Sequence, residues 1–148
     1  MSQAAAALNA TARLRQLLDL TRRLTERLTI ELAAFEARRP QDVAAGLAET
    51  QELANLYRRE SAQVKANPTT LAAAPASERM ALVDATRAFE TVLARHARAV
   101  EAARLISEGL VKAIAAEVTS QRGTPSAYGA AGRATVADAR AVAFNRTA

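Results

Sequence analysis

Residues 76–122 read ASERMALVDATRAFETVLARHARAVEAARLISEGLVKAIAAEVTSQR, a stretch without a proline. Apolar and small residues recur three or four apart along it: Leu82, Thr86, Phe89, Leu93, His96, Val100, Ala103, Ile106, Leu110 and Ala113 mark one stripe, and only Glu117, next in the series, departs from it. That period predicts a single amphipathic helix roughly 70 Å long. A rod of that kind cannot bury its stripe alone, so the fold is decided by what covers it.

The rest of the composition narrows the cover to other helices. Half of the 148 residues are hydrophobic, yet only 3% are aromatic and Trp is absent. Alanine dominates, combining strong helix propensity with little side-chain volume. No segment alternates apolar and polar residues as a strand would. The expected fold is all-α: an elongated, coiled-coil-like antiparallel bundle of three long helices over residues 1–122, followed by a flexible C-terminal tail, 123–148.

Leu14, Thr21, Leu28 and Phe35 recur every seven residues, with Leu17 and Leu24 between them and Leu18 and Leu32 alongside. This heptad seam predicts a first helix over about 5–38. Pro40 disfavours helical geometry at Arg39 and suits the first turn of a new helix, with Asp42 favourable to its dipole. The second helix, about 41–66, presents Val43, Leu47, Thr50, Ala54, Tyr57, Ser61 and Val64 on one face, with Leu53 and Leu56 flanking. Asn67-Pro68 ends it, Thr69 to Ala74 has room for one short turn, and Ser77 is the expected cap of the third helix.

If Pro40 marks a reversal, the first helix rises about 51 Å and the second descends about 39 Å. The third would then pass the top of the first by roughly 30 Å, leaving Leu105, Ile106, Leu110, Val111, Ile114 and Val118 without cover. Exposed apolar patches of this size mark a partner site or a self-association surface, so a homodimer stays open. If Pro40 is only a kink, the third helix folds back over Leu20 to Phe35 and no such overhang exists. The polar residues around Pro40 favour the turn.

Beyond Gly123 the chain is mostly small or polar, broken by Gly129, Gly132 and Pro125, yet it carries Tyr128, Val136, Val142 and Phe144. These read as anchors in a segment otherwise expected to be disordered in isolation.

Chemistry is nearly absent from the pattern. The net charge of +5 comes from 20 basic residues against 15 acidic ones. The doublets Arg22-Arg23, Arg38-Arg39 and Arg58-Arg59 alternate with Glu, as on a solvated face. Basic residues are not concentrated or interleaved with aromatics as a nucleic-acid footprint requires. Cysteine is absent and His96 is the single histidine. The Glu-x-x-His spacing of a helical metal site is missing, since position 93 is Leu. Glu49 and Glu52, one turn before Arg58 and Arg59, read as solvated partners of those cations, and Tyr57 reads as a packing residue. No nucleophile meets a base, so no enzyme, metal or cofactor is expected. The N-terminus lacks a signal-peptide pattern and no stretch is long and apolar enough to span a membrane, so a cytoplasmic location is expected.

Four stretches in order complete the reading: the leucine-rich LTRRLTERLTIELAAFEARRP of residues 20–40, LAETQELANLYRRESAQVKANP of 47–68, FETVLARHARAVEAARLISEGLVKAIAAEV of 89–118, and the tail pieces YGAAGR and FNRTA. Their order and lengths resemble the FlgN-type flagellar export chaperones, with the Arg/Ala-rich FlbY-like members nearest. The resemblance implies a cytoplasmic chaperone of flagellar type III export that holds hook-associated (hook–filament junction) proteins unassembled. Clients would bind the C-terminal part, here Leu105, Ile106, Leu110, Val111, Ile114, Val118, Tyr128, Val142 and Phe144. The first half would be scaffold, with contacts to export-apparatus components left open.

Overall fold

The computed structural model describes residues 2–123. The described residues form four α-helices and one 3-10 segment: α1 (Gln3–Glu36), the 3-10 turn Pro40–Gly46, α2 (Leu47–Ala66), α3 (Thr69–Ala72) and α4 (Ala76–Gly123). No strand occurs among them. The helical class holds, while the expected three helices are corrected to four with a 3-10 segment. Two compact units divide the chain, the first closing at Glu101 and the second opening at Ala102.

In the first unit α1 is the central rod. Ser2 caps it, its hydroxyl accepting from the Ala5 amide at 3.2 Å. Leu14, Leu17, Leu18, Thr21, Leu24, Leu28 and Leu32 are all buried along it, as the heptad seam requires. At its far end Arg38 takes a left-handed conformation, φ 59°, and the Arg39 amide donates back to the Ala34 carbonyl at 2.9 Å. This closes the helix in the manner usually reserved for glycine. Pro40 is therefore part of a reversal, and the kink alternative is excluded: Arg13 meets Glu60 while Arg27 meets Thr50, so α2 runs antiparallel to α1.

The second helix begins later than expected. Pro40 cannot donate a backbone bond and fixes its own φ, and the chain winds in 3-10 geometry up to Gly46. At Gly46 the Arg27 guanidinium lies where a Cβ would stand, so only glycine leaves it room, and the α-helical run starts at the next residue, Leu47. Leu47 and Leu56, expected on or beside the seam, are exposed, whereas Thr50 and Leu53 are buried.

After α3, Pro75 occupies the entry to α4 and its carbonyl accepts the Arg79 amide at 3.1 Å. Ser77 consequently lies inside the first turn and is not the cap. α4 runs parallel to α1 here: Arg15 meets Glu78, and Arg95 meets Glu36. The buried side of this part of α4 carries Phe89, with Ala85, Val92, His96 and Ala99 partly covered, while Leu93 and Val100 are exposed. The expected stripe is thus rotated by part of a turn, because Phe89 must reach two neighbours at once. It packs with Leu20, Leu24, Leu28 and Leu53, and its ring sits 4.9 Å from that of Tyr57. A second cluster of Ala10, Leu14, Leu71 and Ala74, backed by Val64 and Leu82, closes the opposite end. Each buried leucine contributes roughly 1.5–3 kcal/mol by leaving water, so these two clusters hold the first unit together.

Candidate functional site

Two constellations stand out from the packing, one buried in the first unit and one exposed in the second. The first grows out of the heptad seam of α1. Continuing the series Leu17, Thr21, Leu24 and Leu28 lands on Glu31, a carboxylate at a position that otherwise holds leucine, and its side chain is 4% exposed. A carboxylate removed from water must be paired or hydrogen-bonded. The Thr50 hydroxyl donates to its Oε2 at 2.6 Å, and His96 Nε2 stands 2.9 Å from its Oε1. Thr50 in turn receives the Arg27 Nε at 3.3 Å, and the His96 ring meets Phe35 edge-on with centroids 5.9 Å apart. Residues from α1, α2 and α4 are thereby joined through one acid.

Glu31 was absent from the residues singled out in the sequence, although its place on the seam was the available signal. His96 is a packed partner of that acid. Arg27 also stands 3.9 Å from Glu49, so the cation near Glu49 comes from α1 and the pairing expected with Arg58 or Arg59 is corrected. Arg58 donates instead to Asn55 at 3.2 Å. Tyr57 packs on Phe89, as its seam position predicts.

Charge pairs on the surface tie α4 to α1. The Arg15 guanidinium donates to Glu78 at 2.6 Å and, chiefly through that hydrogen bond, holds the Glu78 carboxyl below its ordinary pKa. Arg15 is raised by the same contact. Beside this pair a shallow groove between α1 and α4 is lined by Arg22, Thr25, Ala81, Asp84, Ala85 and Ala88. Among the described residues no three His, Asp or Glu side chains gather as a metal ion would require, and no helix is long and apolar enough to cross a membrane.

The second constellation is apolar. Within the second unit Leu105, Ile106, Leu110, Val111 and Ile114 are exposed, Ile106 at 69% and Leu110 at 60%, and Val118 is half-buried. These are the six described members of the expected client site. Ile106, Leu110 and Ile114 follow at four-residue intervals and so form one ridge on the helix. Leu105 falls on the opposite side, about 140° from Leu110 on the helical wheel. Five of the six therefore share a broad face and Leu105 does not. Tyr128, Val142 and Phe144 lie outside the described residues, as does the tail expected over 123–148 apart from Gly123, which ends α4.

The chain is 50% identical over 130 residues to the flagellar basal-body protein FlbY of Caulobacter vibrioides, the match covering 87% of each chain. A match of 130 residues in a chain of 148 has to include parts of both units. No family model matches the chain, and no solved structure matches it.

Proposed function

The chain belongs to the family of the flagellar basal-body protein FlbY, and from that premise we propose that it is a chaperone of flagellar type III export. In this reading it binds hook-associated (hook–filament junction) proteins in the cytoplasm, prevents their premature assembly, and acts by binding without catalysis. The observation that carries the reading is the aliphatic face of the second unit: Ile106, Leu110 and Ile114 are more than half exposed, whereas the leucine seam of α1, from Leu14 to Leu32, is buried within the first unit. The resemblance of residues 20–40, 47–68 and 89–118 to FlgN-type chaperones supports the same role.

The physics suits a carrier. An amphipathic terminal helix of a client, which would otherwise pair with another client, can lay its apolar face against anchors spaced three and four residues apart. Three or four aliphatic anchors supply roughly 1.5–3 kcal/mol each on burial. Association itself costs about 4–15 kcal/mol, so these anchors alone give an affinity that is micromolar at best. Such a complex forms readily and releases its cargo at the export gate.

The test is a titration of the full chain with purified hook–filament junction proteins of the same organism, followed by calorimetry. A complex lost in the Leu110→Asp/Ile114→Asp double variant, with helix content and unfolding midpoint retained, is the expected result. No complex, or one indifferent to those substitutions, would sink the reading.

A second reading is favoured by the name of the Caulobacter relative, a basal-body protein: a helical structural component associated with the flagellar basal body. It requires the protein to remain in purified basal bodies at fixed stoichiometry, where a carrier would be absent.

A further inference from the structure

One charged residue stands on the aliphatic face. Glu117, seven residues after Leu110, falls about 20° from it on the helical wheel. Of the other charged side chains of the second unit's helix, Glu108 and Lys112 fall about 160° from Leu110, on the far side, and Arg104 and Arg122 about 120° from it, just outside the edge that Val111 and Val118 form. Arg104 donates to Glu108 at 2.6 Å, and Lys112 follows Glu108 by one turn. Glu117 has no cation at such a spacing. The positions three and four residues from it are Ala113, Ile114, Ser120 and Gln121, none of them a cation. Its carboxylate accepts one hydrogen bond, from the Gln121 amide at 3.2 Å.

While the face is open, water solvates this carboxylate. Covering the face with a purely apolar surface removes that water and leaves the charge uncompensated, which costs far more than the extra apolar area returns. Covering it with a surface that places a cation there removes the penalty and fixes register. We infer that the occupant of this face is an amphipathic helix whose apolar stripe is interrupted by one Lys or Arg that meets Glu117. A second copy of this chain is a poorer occupant, because the same face on the copy presents another Glu117 and carries no cation within it. The inference deepens the chaperone reading and rests on it, since it names the chemistry of the client segment.

The experiment uses the full chain and a set of synthetic leucine-striped helical peptides. One stripe position, moved stepwise along the peptide, carries Lys, Glu or Leu, and outward residues are adjusted to keep net charge equal. Anisotropy titrations should find a register in which the Lys peptide binds about tenfold more tightly than its Glu counterpart. E117K should reverse that preference and E117Q should level it. A preference unchanged in E117K, with binding still abolished by Leu110→Asp, overturns the inference and leaves the docking face standing. Binding indifferent to Leu110→Asp, or no binding by any peptide, overturns the docking face together with the inference. Circular dichroism of each variant confirms that the helix is retained.

Discussion

Leu24 and Leu110 are the same residue on helices of the same amphipathic character, yet one is 3% exposed and the other 60%. The difference lies in their neighbours. Leu24 is enclosed with Leu20, Leu28, Leu53 and Phe89, contributed by three helices of the first unit. The second unit, among its described residues, holds only the last part of α4. Amphipathic spacing therefore announces that a face wants cover and says nothing of whether the chain provides it. On the proposed reading the first unit is a finished body and the second keeps its apolar face for another polypeptide.

The largest test of that contrast is the same truncation made in both places. Leu24→Ala should destabilise the protein by about 3 kcal/mol, through lost burial and the cavity left behind. Leu110→Ala should change stability by no more than about 0.5 kcal/mol. Urea unfolding monitored by circular dichroism gives both values from the midpoints at constant slope. Comparable losses at the two sites would make the late face part of the core and remove the ground for a docking surface.

A smaller difference separates the polar contacts of the two units. Glu31 and His96 meet where water is scarce, whereas Arg104 and Glu108 pair on an open helix surface with half their side chains exposed. A double-mutant cycle with Glu31→Ala and His96→Ala should give a coupling of about 1–2 kcal/mol. The cycle for Arg104 and Glu108 should stay near 0.3–0.5 kcal/mol. Equal couplings would mean that Glu31 is not the joint between α1 and α4 that its burial and 2.9 Å contact describe.

Much of this body could be read from particular residues. The leucine heptad of α1 and the prolines at 40, 68 and 75 placed the helices, since strong periodicity and a missing amide act locally. Three features needed tertiary context. The need for glycine at position 46 depends on Arg27 reaching it from another helix. The buried side of α4 chose Val92 over Leu93 and Ala99 over Val100, because two overlapping stripes share the sequence and only the positions of α1 and α2 decide between them. Glu31 sat on the seam in plain view, but its partners come from 19 and 65 residues away. In the candidate site the ridge through Leu110 follows from spacing alone. Leu105, grouped with it by hydrophobicity, falls on the other side of the helix.

The smallest expected effect concerns the start of α4. Arg15, by its hydrogen bond first and its charge as well, keeps Glu78 ionised to lower pH than an ordinary glutamate. A carboxyl whose folded pKa is depressed stabilises the protein above its unfolded value, near 4.3, and loses that contribution as pH falls through the folded value. Both side chains meet in solvent, so the effect is minor and screened by salt. In Arg15→Gln the Glu78 titration, followed by carbon NMR of the side-chain carboxyl, should move up toward the ordinary glutamate value. The stability difference from the parent chain should be present at neutral pH and fade as pH falls below the ordinary glutamate value. Hydrogen exchange should quicken in the first turns of α4 while the amides around Ile106 to Ile114 stay unchanged, because the lost contact belongs to the first unit alone. A Glu78 midpoint that ignores the substitution would show that α4 is seated on α1 by its apolar side, through Phe89, without help from this pair.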